Sequence, residues 1–314
     1  PNGEREWETH KRVPVSGSFE SKTHIRAYQP GFIEIDGNPS KFLQGHNIFG
    51  SNDLLGLCFY WLQQLCKSLG VIPTAENLAD WKAGNYTLKR VDATESFILP
   101  TQADVAAWLR AASPVVRGRH QAASAYDGET VYIGKNSRRI SLKLYNKWRE
   151  LQKHKLPQNI ACRNQLLSYA EPLLRAEATI RSMELKRRNL SLAANWNSLE
   201  IGTAILKERL ANMKIAERMK LTDSELAELP PRLVAVYKLW KDGDDLRSIY
   251  PRRTFYRYRS ELMKNGIDIT TESPTTPKVV PLVKYLTADH VAGVPDWAKE
   301  AGLYFEPSDH TNAA

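Results

Sequence analysis

Tyr145 and Lys147 stand two residues apart in the run SLKLYNKWRELQKHK, positions 141–155. A phenol can attack phosphorus, and nearby cations can hold the phosphate that it attacks. Between positions 135 and 155 there are eight Lys and Arg against one Glu, most of the chain's formal net charge of +9. Read as a strand, in which alternate side chains share a face, the run points Ser141, Lys143, Tyr145 and Lys147 one way and Leu142 and Leu144 the other. Two further segments alternate in the same manner. In TLKRVDATES, Arg90, Asp92 and Thr94 oppose Val91, Ala93 and Phe97; in LLRAEATIR, Arg175, Glu177, Thr179 and Arg181 oppose Leu174, Ala176, Ala178 and Ile180. Three such strands in one sheet would gather Asp92, Glu177, Tyr145, Lys143 and Lys147 on its polar face. Two carboxylates with a histidine or a water suit Mg2+ or Mn2+, which would polarise a phosphate as a Lewis acid. Tyr145 would then be the nucleophile, and Lys147 would neutralise developing charge or move a proton.

Blander readings of the same residues carry weight. Polar alternates on a half-buried strand are ordinarily its wet face, and a strand tyrosine packs far more often than it attacks. The basic run would serve equally as a charged edge that discourages strand pairing. His46, in QGHN, reads most simply as a turn histidine bonded to local backbone. From spacing alone the expectation stops at a basic α+β protein suited to a nucleic-acid partner.

The elements that must position these residues follow from periodicity. Strands are expected over 13–28 and 32–35, the latter closed by Asp36-Gly37-Asn38-Pro39, with an irregular stretch over 42–49. A helix follows over 53–69, capped by Ser51 or Asn52, with Leu54, Leu57, Trp61, Leu65 and Leu69 along one stripe. A strand over 87–99 precedes a helix opened by Thr101 and Asp104. Strands over 130–134, 139–148 and 173–185 complete an α+β layout, an antiparallel or mixed sheet with helices on one face. A helical connector spans 191–225. Residues 231–269 read as helix, break, helix, with Gly243 and Gly266 as stops. That spacing suits a helix-turn-helix whose second helix carries Arg252, Arg253, Arg257 and Arg259. The expected division is therefore 1–190 catalytic, 191–225 connecting and 226–314 DNA-binding.

At 314 residues, with 42% hydrophobic and 25% charged content, the chain is long enough for two cored domains. No apolar run approaches the roughly 20 residues that cross a bilayer, and no signal-peptide pattern is visible, although the chain opens on Pro1. Three cysteines, Cys58, Cys66 and Cys162, form no even framework and no CxxC pair, which fits a reducing cytoplasm. A pI near 9.3 favours a polyanionic partner.

Several strings together resemble one known family. NPSKFLQGHNIFGSNDL, LKRVDATES, LKLYNKWREL, LLRAEATIRSMELK, RRTFYRYRSELMKNGIDI and VVPLVKYLTADHVAGVPDW look like the gene II-type replication initiators of filamentous bacteriophages and related prophages. The likeness covers roughly residues 13–297. It implies a rolling-circle initiator in the bacterial cytoplasm, a site-specific nickase and strand-joining enzyme acting on duplex and single-stranded origin DNA. The family also implies a divalent metal, a tyrosyl–DNA link and a host helicase and replication machinery working after the nick. By similarity of motif, Tyr145 and Lys147 take the catalytic positions and Asp92, Glu177 and His46 the metal positions. Arg138, Arg139 and Lys143 join the second-helix arginines as DNA contacts. The dispersed histidines include no His-x-His pair, so the metal site common among rolling-circle nickases is absent. The rival readings are a non-catalytic origin-binding regulator or repressor and a metal nuclease that activates water.

Overall fold

A computed structural model describes residues 11–19, 21–29, 32–115, 117–118, 121–126, 129–211, 223–242, 244–265, 267–270 and 285–310. The expected helix stops Gly243 and Gly266 lie outside them. Strands β1 (Val13–Ser16), β2 (Lys22–Gln29) and β3 (Phe32–Asp36) form a small antiparallel sheet in that order. The single strand expected over 13–28 is thus a hairpin, turned where the Gly17 N–H reaches the Ser21 carbonyl. Next come α1 (Pro39–Gln44), α2 (Leu54–Leu69) and α3 (Ala75–Ala83). Helix α1 occupies part of the stretch expected to be irregular. Asn38 accepts the Lys41 N–H at 2.9 Å, Pro39 opens the first turn, and Gly45 at φ 84° ends it. The cap of α2 is Asp53, not Ser51 or Asn52; it accepts the Gly56 N–H at 2.9 Å.

The main sheet is built from β4 (Arg90–Ile98), β5 (Arg117–Gly118), β6 (Gln121–Tyr126), β7 (Thr130–Ile133), β8 (Ile140–Asn146) and β9 (Leu173–Arg181). Its order is β4-β9-β8-β7-β6-β5, and every pairing is antiparallel. Between these strands run α4 (Gln102–Val115), α5 (Lys147–Lys153) and α6 (Arg163–Ala170). After β9 come α7 (Ser182–Arg187) and α8 (Ile201–Ala211). One sheet face carries Ala93, Phe97, Leu142, Leu144, Leu174, Ala176, Ala178 and Ile180 against Val105, Trp108 and Leu109 of α4 and Ile205 and Leu206 of α8. Each large apolar side chain buried there contributes about 1.5–3 kcal/mol. This is the face that alternation assigned to the core, with helices over it. Residues 182–185, expected as strand, instead open α7, where the buried Glu184 gathers Arg139, Arg187 and Arg188.

Helices α9 (Asp223–Glu228), α10 (Pro231–Asp242), α11 (Leu246–Ile249) and α12 (Arg252–Met263) follow. They enclose a core of their own, with Leu233, Val236, Tyr237, Trp240, Leu246, Phe255, Leu262 and Ile267 buried together. The last described segment, with α13 (Asp296–Glu300), returns to the main sheet. Val291 bridges Phe97, and the Ala292 N–H bonds the Ser96 carbonyl at 2.8 Å. Ala298 and Leu303 are buried with Ile48, Phe49, Leu151, Leu166 and Leu173. Residues 285–310, expected to belong with the DNA-binding helices, therefore pack on the sheet.

Candidate active site

Strand register brings the polar alternates into rows across the face opposite α4 and α8. One row reads Ser96, Arg175, Tyr145, Thr130; the next reads Thr94, Glu177, Lys143, Tyr132; a third reads Asp92, Thr179, Ser141. Tyr145 and Glu177 are thus diagonal neighbours, close enough for long side chains to meet. The Tyr145 hydroxyl lies 3.4 Å from Glu177 Oε2, a long contact in which the phenol donates. The Lys143 ammonium sits 3.9 Å from the centre of the Tyr145 ring and 5.8 Å from that of Tyr132, in range of cation–π attraction. Tyr145 is only 4% exposed. Burial pushes its pKa well above that of a free phenol, Arg175 opposes the rise, and Glu177 adds to it.

Lys147 departs from the strand reading. Strand β8 ends at Asn146, whose side chain accepts the Arg149 N–H at 3.1 Å and so caps α5. Lys147 is the first residue of that helix and does not continue the Tyr145 face. Its ammonium is fully buried, 2.7 Å from both Asn47 Oδ1 and Glu150 Oε2. Burial, reinforced by Arg175, draws its pKa down to about 7 against the pull of Glu150. Pattern reading missed Asn47 and Glu150, because only the capped turn at Asn146 brings Lys147 to them.

His46 is 1% exposed, and both ring nitrogens are spent. Nδ1 accepts the Ile48 N–H at 3.2 Å, which leaves Nε2 to donate to the Leu303 carbonyl at 2.9 Å. Burial lowers its pKa to about 4, against the Leu303 bond. In this arrangement neither nitrogen offers the free lone pair that the metal assignment of His46 requires. Asp92 is exposed, and its carboxylate is gripped by Arg90 of its own strand at 2.6 and 3.0 Å. Among the described residues no three His, Cys, Asp or Glu side chains converge as a metal set. Asp92 and Glu177 do provide hard oxygen donors on one face.

Of the expected DNA contacts, Arg138 is exposed, Arg139 is half-exposed with Nε 3.0 Å from Glu184, and Lys143 lies over the two tyrosine rings. On α12, Arg252, Arg253 and Arg257 are exposed. Arg259 is not available: Nε and Nη2 hold the two oxygens of buried Asp268, each at 2.8 Å. That pairing closes the helical unit on the loop after α12 and engages the Arg259 guanidinium that was expected to meet DNA.

Comparison with known proteins fits these strands to one family. The model of the N-terminal region of the phage replication-associated gene II protein matches residues 1–199, and that of its C-terminal region matches residues 221–304. The chain belongs to the family of replication-associated gene II proteins. It is similar to the replication-associated gene II protein of Enterobacteria phage I2-2, 37% identical over 300 residues, covering 92% of this chain and 86% of that protein. The replication-associated gene II proteins of Enterobacteria phages M13 and f1 are each 28% identical over 325 residues, covering 86% of this chain and 78% of theirs. No solved structure matches. No helix among the described residues is long and apolar enough to cross a membrane.

Proposed function

We propose that this gene II-family chain initiates rolling-circle replication by nicking one origin strand through Tyr145 and later rejoining the ends. The observation that carries this reading is the Tyr145 hydroxyl 3.4 Å from Glu177. A neutral phenol is a weak nucleophile, and a buried one ionises with difficulty. Its proton must therefore leave as attack proceeds, and the Glu177 carboxylate is placed to take it. The phenolic oxygen bonds to phosphorus, the bond from phosphorus to the 3′-oxygen breaks, and that oxygen takes a proton from solvent. The resulting phosphotyrosyl bond keeps the energy of the broken one. A 3′-hydroxyl attacking it later reverses the step, closes the strand and returns the phenol its proton.

Metal dependence is part of the same proposal. Asp92 and the Glu177 oxygen not turned to the phenol would hold Mg2+ or Mn2+, which supplies Lewis-acid polarisation of the phosphate, while Oε2 is left for the Tyr145 proton. The α10–α12 unit would dock duplex origin DNA through Arg252, Arg253 and Arg257, giving strong salt dependence. Host helicase and polymerase would work from the free 3′-end. Burial of Tyr145 favours a second reading, an origin-binding regulator in which the phenol only packs. Replacement Tyr145→Phe separates them on supercoiled plasmid carrying the replication origin of the encoding genome, with Mn2+ present. The expected result is loss of nicking and of protein–DNA adduct with origin binding kept. Wild-type protein that binds and never nicks supports the regulator, and a Tyr145→Phe variant that still nicks supports water as nucleophile.

A further inference from the structure

Arg175 is the residue whose surroundings the mechanism above leaves unexplained. It stands directly opposite Tyr145 in the β8–β9 register and is 6% exposed. Nη1 donates to the carbonyls of Asn47 and Ile48, at 3.0 Å for the latter, and Nη2 donates to Thr94 Oγ1 at 2.9 Å. One guanidinium thus ties the QGHN loop to β9 and β4 from the strand position directly across from Tyr145. Its Nε–H is buried without a partner, and it makes no ion pair among the described residues. A buried cation normally has a counter-charge, because removing it from water costs several kcal/mol. Here Lys147 has Glu150, while the guanidinium rests on neutral oxygens. The guanidinium thus keeps its charge uncompensated by an ion pair on the strand position across from Tyr145, whose oxygen must become negative next to the Glu177 carboxylate.

We propose that Arg175 is the electrostatic positioning residue of the nicking reaction, fixing the QGHN loop and stabilising negative charge as it passes from the Tyr145 oxygen to the phosphoryl group. This rests on the reading of Tyr145 as nucleophile. The charge balance is simple: the phenol yields its proton to Glu177, the phenolic oxygen carries partial charge into its bond with phosphorus, and Arg175 supplies field without exchanging a proton. The groups facing Tyr145 are Arg175 and Glu177 of β9, Lys143 of β8 and Glu150 of α5, and all of them act on its ionisation except that Lys143 is placed over the ring.

The test is single-turnover adduct formation by the full chain on saturating supercoiled origin plasmid. Arg175→Met is expected to slow it by about 10²–10³-fold, the usual loss on removing one preorganised electrostatic group. DNA affinity should change less than about threefold, and Arg175→Lys should recover at least about tenfold. A more acidic phenol, 3-fluorotyrosine placed at position 145, should restore part of the lost rate in Arg175→Met, which a purely structural role would not allow. If Arg175→Met fails to fold, the same rescue is read in Arg175→Lys. Wild-type adduct rates in the folded variant, or loss without fluorotyrosine rescue, would overturn the inference. Adduct formation by Tyr145→Phe would instead remove the nucleophile assignment beneath it.

Discussion

At the scale of single residues, chemistry on the polar face depends on which groups are already engaged. Glu177 is open to the Tyr145 proton, whereas His46 is closed off by two hydrogen bonds. That closure has a pH consequence. The folded-state pKa of His46 is about 4, below its ordinary 6.5. Between those values the unfolded chain takes up a proton that the folded chain refuses. Its contribution is therefore full above pH 6.5 and is lost as pH falls toward 4, by about 3 kcal/mol in total. Urea unfolding at pH 7 and pH 4.5 should show wild type losing about 2 kcal/mol more than His46→Gln over that interval. Equal losses would mean that His46 titrates freely. The polar faces of three strands were legible in the sequence because period-two alternation fixes the face of every strand residue, whereas the register that lines them into rows was not. Arg175 was placed on the correct face and still read as wet surface, since alternation says nothing of which loop lies over that face.

At the scale of elements, the failures of pattern reading cluster where one element passes into another. Strand β8 hands over to α5 at Asn146, so Lys147 leaves the face that Tyr145 keeps. Strand β9 hands over to α7 at Ser182. In both, the polar residues continue without a glycine or proline to mark the boundary, although each helix opens on contacts near in sequence, Asn146 with Arg149 and Glu184 with Arg187 and Arg188. Helix α12 shows the same limit. Its arginines share one sequence run, yet Arg259 is committed to Asp268 while Arg257 is exposed beside the Tyr258 ring, 5.2 Å from its centre. The two should therefore respond differently to alanine. Arg257→Ala should lower the salt slope of origin binding by about one while leaving stability unchanged. Arg259→Ala, which strands a buried carboxylate, should cost about 3–5 kcal/mol of helical-unit stability. Binding titrations over a salt series and thermal melts distinguish them; identical behaviour of the two variants would refute the assignment.

At the scale of the molecule, the segment 303–306 folds back on residues 44–51. Leu303 supplies the carbonyl for His46, Gln44 accepts the Phe305 N–H at 2.8 Å, and Ser51 donates to Glu306 at 2.8 Å. The terminal segment thereby braces the QGHN loop, which in turn receives Arg175. Leu303→Ala should destabilise the sheet unit by about 2–5 kcal/mol and raise amide exchange across residues 46–50, while origin binding by α12 is kept. Unchanged protection of that loop would separate the segment from the site. In the proposed reaction the Tyr145 oxygen joins protein to DNA, and covalent mapping tests this most directly. Adduct formed with labelled origin DNA, digested with nuclease and then trypsin, should retain nucleotide on Leu144–Lys147, the peptide bounded by Lys143 and Lys147. Nucleotide retained on the peptide carrying Tyr132 or Tyr169, or on none while the DNA is cut, would contradict it.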